Sequence, residues 1–63
     1  MIINDQGSIV MITPESDLEY DWLTDNTNAE SWQWLGSSLA IDYRFADNLI
    51  EGIQDAGFIV EDG

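Results

Sequence analysis

The segment DYRFADNLIEGIQDAG, residues 42 to 57, admits one regular solution. Phe45, Ala46, Leu49, Ile50, Ile53 and Ala56 recur at helical spacing. At about 100° per residue they gather around one direction, and Asp47, Glu51 and Asp55 fall nearly opposite. Asp42 is a good N-cap and Gly57 a good C′ residue, so a helix is expected between them. Gly52 inside it costs about 1 kcal/mol relative to alanine and leaves room for close packing.

An amphipathic helix needs a surface on which to bury its apolar stripe, and the remaining segments supply one. Met1-Ile2-Ile3 and Ile9-Val10-Met11-Ile12 are β-rich runs separated by turn formers Asn4, Asp5 and Gly7. They predict a hairpin, with a frayed tail as the alternative for the first run. TPESDLEYDWL predicts a helix from about residue 14 to residue 25. Its entry is either Thr13-Pro14, with Pro14 at the first helical position, or the capping box of Ser16 and Glu19. Leu18, Trp22 and Leu23 are its expected core residues. Residues 25 to 31 read as a polar loop.

In WQWLGSSLAID, Trp32 and Trp34 alternate with Gln33, and Leu39 and Ile41 with Ala40, which is the period of a strand. Gly36-Ser37-Ser38 is either a bulge in one long strand or the turn of a small hairpin. Phe58-Ile59-Val60 reads as a final buried strand, ended by Glu61-Asp62-Gly63. The order β(β)αβαβ gives an α+β fold, a single small domain over residues 1–63. Two amphipathic helices pack on one face of a short sheet of about three or four strands. The other face is either wet or covered by a second copy.

Composition supports folding. Hydrophobic residues are 44% and aromatics 11%, although the net charge of −12 opposes collapse. With no cysteine among 63 residues there is no disulfide staple, and self-association is one route to the missing stability. The longest apolar run, Ile9 to Ile12, is far short of the about 20 residues a membrane helix needs. No basic, apolar secretory leader opens the chain, so a soluble cytoplasmic protein is expected.

The charges are arranged in rows. Asp17, Asp21 and Asp25 on the first expected helix repeat the i, i+4, i+8 spacing of Asp47, Glu51 and Asp55 on the second. Successive carboxylates then stand about 6 Å apart along each helix axis. Each neighbouring pair repels by about 0.7 kcal/mol even at the dielectric of water, and like charges at i, i+4 destabilise helices. An ordinary surface interleaves lysine with glutamate, but this chain has 13 acids and a single basic residue, Arg44. The plain account is solvated, solubilising surface. The sharper account is an electrostatic decoy, since carboxylate rows at this pitch can stand in for a nucleic-acid backbone. In size and charge layout the chain resembles DNA-mimic inhibitors of the kind phages use against host nucleases and defence systems, although no motif carries the likeness. A third account is an acidic module bound by some other basic protein.

Other chemistry is poorly supplied. There is no histidine or cysteine, so the usual nucleophile–base pairs and transition-metal sites are missing. There is no phosphate-binding glycine motif. A calcium loop starting at Asp25 would need Gly where Glu30 stands and a closing Glu where Gly36 stands. No enzyme activity and no cofactor are expected. Direct binding to nucleic acid or anionic membrane is disfavoured by a pI near 4.1. Trp22, Trp32 and Trp34 are expected chiefly as core, and an exposed Trp32 or Trp34 would be an apolar anchor. Arg44 is expected to pair with an acid such as Asp47.

The expected function is therefore an acidic protein-binding module, in its most concrete form a nucleic-acid-mimicking inhibitor that occupies the basic surface of a nucleic-acid-binding protein. Asp17, Asp21, Asp25, Asp47, Glu51 and Asp55 would supply its field, and Trp32 or Trp34 its anchor. The alternative is a small structural domain, self-associating as a homodimer, whose acids are only solvated surface.

Overall fold

The computed structural model describes residues 1–28, 30 and 33–63. Strands β1 (Ile2–Asp5) and β2 (Ile9–Thr13) lead into helix α1 (Asp17–Asn26). Strands β3 (Trp34–Leu35) and β4 (Ser38–Asp42) precede helix α2 (Tyr43–Asp55), and β5 (Glu61–Asp62) ends the chain. The α+β class holds, with a mixed sheet of five strands in the order β3-β4-β2-β1-β5. Only the β1–β5 pair is parallel.

The expected hairpin forms β1 and β2. Asp5 Oδ1 accepts from the Gly7 N–H at 2.8 Å, closing an Asx turn. Register places Ile3 opposite Ile12, Ile12 opposite Leu39 and Val10 opposite Ile41. These five side chains therefore share one sheet face, and all are buried. Leu23 of α1 and Ala46 and Ile53 of α2 join them in a single core with Met1. Both helices consequently lie on the same face of the sheet, as expected. The opposite face carries Ile2, Ile9, Met11 and Ala40, partly or fully exposed.

Three local expectations are corrected. Helix α1 starts later than residue 14: Ser16 is its N-cap, its side chain accepting from the Glu19 N–H at 3.2 Å. Glu19 Oε1 in turn accepts from the N–H of Glu15, not Ser16, so the capping box is displaced by one residue. Residues 34–42 form the hairpin alternative rather than one strand. Its two-residue turn has Gly36 at φ +65° followed by a residue without positive φ, as a type II′ turn requires.

The last strand is also displaced, from 58–60 to Glu61–Asp62. The cause lies at the end of α2. Gly57 adopts φ +93°, its N–H donates to the Gln54 carbonyl, and the Phe58 N–H donates to that of Ile53. This is a Schellman cap, which commits Phe58 to ending the helix and folding back over the core. Phe58 meets Trp22 edge-on at 6.0 Å between ring centroids. Only from Glu61 does the chain run beside β1, where the Glu61 N–H donates to the Met1 carbonyl and the Gly63 N–H to that of Ile3.

Candidate protein-binding face

The six carboxylates of the two rows are all exposed. On α1, Asp17, Asp21 and Asp25 project on average about 160° from buried Leu23. On α2, Asp47, Glu51 and Asp55 project on average about 150° from the direction of Ala46 and Ile53. Because both helices cover the same sheet face, both rows point away from the sheet on the same side of the molecule. Each expected stripe thus stands exposed on its own helix, with the cleft described below between the two helices.

The chain's two cationic groups are engaged elsewhere. Arg44 pairs with Asp42 rather than the expected Asp47: its Nε donates to Oδ1 at 3.1 Å and a terminal nitrogen to Oδ2 at 2.9 Å. Asp42 is the N-cap of α2 and also accepts from the Arg44 N–H at 2.9 Å, so one carboxylate holds both side chain and backbone. These bonds lower the Asp42 pKa and raise that of Arg44. The Met1 ammonium lies 3.4 Å from Glu15 and 3.2 Å from Glu19. Among the described residues none of the six row carboxylates meets a cation. No three acidic side chains converge there as metal ligands either.

The expected apolar anchors are only partly recovered. Trp34 is half-buried and stacks on Tyr20 at 4.9 Å, tying β3 to α1. Trp32 lies outside the described residues. Two expected core residues are instead exposed: Leu18 at 69% and Phe45 at 64%. Ala56 is exposed as well. On the wheel of α2, Phe45 stands about 90° from the Ala46–Ile53 direction, at the edge of the apolar arc rather than its centre. Its exposure was readable from that offset.

Phe45 instead borders a cleft between the two helices, about 770 Å³ in volume. Trp22 and Asn26 of α1 form one wall, and Phe45, Asn48, Leu49 and Gly52 of α2 the other, with Ile41 of β4 between them. Trp22 reaches across to α2: a Cβ at Gly52 would stand 3.6 Å from its Cη2. Sequence periodicity gave no sign of the cleft, because it is a gap between elements and not a property of either.

No family model, curated protein or solved structure matches the chain. Among the described residues no helix is long and apolar enough to cross a membrane.

Proposed function

We propose that this chain is an acidic protein-binding module that works by occupying the basic surface of a nucleic-acid-binding protein. One observation carries this reading: six exposed carboxylates stand on the two helices, turned from the buried core, while both cations of the chain are spent on other acids. Among the described residues no cation pairs with the rows, and their field extends into solvent with little local cancellation. A basic cleft built for phosphates meets the same sign of charge at a similar spacing, so association is electrostatically steered. Binding, not catalysis, is the proposed activity.

The test is a pull-down from host lysate, washed at low and high salt, with and without competing DNA. A stoichiometric nucleic-acid-binding protein, displaced by both DNA and salt, is expected. Reversing Asp47, Glu51 and Asp55 to lysine should abolish that capture while circular dichroism stays native. Capture unaffected by DNA and by the triple reversal would sink the proposal.

A second reading is self-association, which the uncovered sheet face favours. Ile9 is 39% exposed there, beside half-buried Met11 and Ala40. A sedimentation equilibrium run giving only monomer would remove it.

A further inference from the structure

We propose that the cleft between α1 and α2 seats the apolar side chains of a basic segment of the protein partner, while that segment's lysines and arginines meet the carboxylates outside the cleft. The proposal rests on the protein-binding reading above and adds where the partner docks and what chemistry it carries.

The cleft's lining is mixed, with polar groups from Asn26, Thr27, Gln33, Asp42 and Asn48 beside an apolar set. Trp22, Ile41, Leu49 and the bare backbone at Gly52 line it, and Phe45 stands at its edge with most of its ring in solvent. An exposed phenylalanine is the kind of aromatic side chain that anchors protein interfaces. Its volume of about 770 Å³ suits several side chains rather than a single ion. A cleft walled by two helices also suits the apolar side of an amphipathic segment.

Charge selects the occupant. Of the cleft's lining only Asp42 is charged, and it is bonded to Arg44; the exposed acidic rows stand on the same two helices. A second copy of this chain would bring another net charge of −12 to the same face and be repelled. Nucleic acid would be repelled likewise. A segment that alternates apolar and cationic side chains satisfies the floor and the rim together, because its apolar groups leave water while its cations stay near it.

The test uses the intact isotope-labelled chain and three synthetic peptides of about 14 residues in helical register. One carries lysine and leucine, one lysine and serine, one glutamate and leucine. The lysine–leucine peptide should shift the backbone amides of Trp22, Asn26, Leu49 and Gly52 and bind tightest. Phe45→Ser should weaken it by about tenfold, as loss of an interface anchor does, and leave the lysine–serine peptide unmoved. Equal binding of the lysine–serine peptide would overturn the cleft proposal while leaving the acidic reading standing. Failure of both basic peptides would bring down both. Equal binding of the glutamate–leucine peptide, or shifts confined to Met11 and Ala40 of the open sheet face, would overturn the proposed occupant or place. Cleft amides that shift with protein concentration alone would assign the cleft to a second copy and overturn it too.

Discussion

The α-ammonium of Met1 stands 3.2 Å from Oε1 of Glu19, and it donates to the carbonyl of Ile59 at 2.6 Å. The Met1 side chain is itself in the core. One charge thus links the first strand, the first turn of α1 and the segment that leads to β5. Glu19 additionally accepts from the Glu15 N–H, which lowers its pKa first, with the ammonium adding to the effect. Removing that carboxylate leaves a sheltered ammonium short of its partner. Glu19→Gln is expected to destabilise the chain by about 1.5–3 kcal/mol, the range for hydrogen bonds to charged groups. Acetylating the α-amine should act in the same direction. Glu15, whose side chain is 45% exposed, should matter less when replaced by Gln. Urea unfolding at neutral pH checks all three.

The same cluster predicts an unusual pH profile. Glu19 has its pKa lowered from the ordinary 4.5, so its stabilising contribution is present above that value and is lost as pH falls through the folded one. Glu61 has its pKa raised from 4.5, first by its hydrogen bond with Glu15 and then by that neighbour's charge. Its sign is opposite: the folded state holds the proton more tightly, and that stability is lost as pH rises through the raised value. Thermal stability should therefore increase as pH falls through the raised Glu61 value toward 4.5, then decline as pH falls further through the lowered Glu19 value. Glu61→Gln should flatten the first limb and Glu19→Gln the second. A melting temperature that falls steadily from pH 7 downward would contradict the assignment.

Gly52 within α2 and Gly57 just past its end should respond in opposite ways. Gly52 is helical, and an added Cβ meets only Trp22 at ordinary contact distances of 3.6 and 3.9 Å. Gly52→Ala is expected to stabilise by up to about 1 kcal/mol, from the helix preference alone. Gly57 sits at φ +93°, where a side chain strains the backbone whatever the space. Gly57→Ala is expected to destabilise by about 1 kcal/mol through loss of the Schellman cap. Paired urea titrations of the two variants decide this.

The buried and exposed apolar residues of α2 can be separated by substitution. Ile53 is fully buried, and Ile53→Asp places an unpaired charge in the core, which should unfold the chain. Phe45→Ser, at 64% exposure, should change stability by no more than about 0.5 kcal/mol, the ordinary range for surface sites. A native circular dichroism spectrum for Ile53→Asp would refute the core described above.

Local pattern alone determined several features of this protein. The helix bounded by Asp42 and Gly57 follows from 3.6-residue periodicity and two capping residues a few positions away. The hairpin of β1 and β2 follows from two β-rich runs around an Asx turn. The outward acidic rows follow from i, i+4 spacing on helices whose opposite sides are apolar. Each of these depends on neighbours close in the chain, so adjacency in sequence was adjacency in space. Only the tertiary structure decided the rest. Ser16 caps α1, while the Glu19 carboxylate turns to the Glu15 N–H and the distant Met1 ammonium. The final strand waits until Glu61, because the Schellman cap uses Phe58 and β1 lies three residues farther on. The outward turn of each acidic row, and the cleft between the two helices, exist because Leu23, Ala46 and Ile53 bury in one core against one sheet face. That choice is made by which face of the sheet is apolar, through pairings between residues far apart in the chain that no single helix or strand encodes.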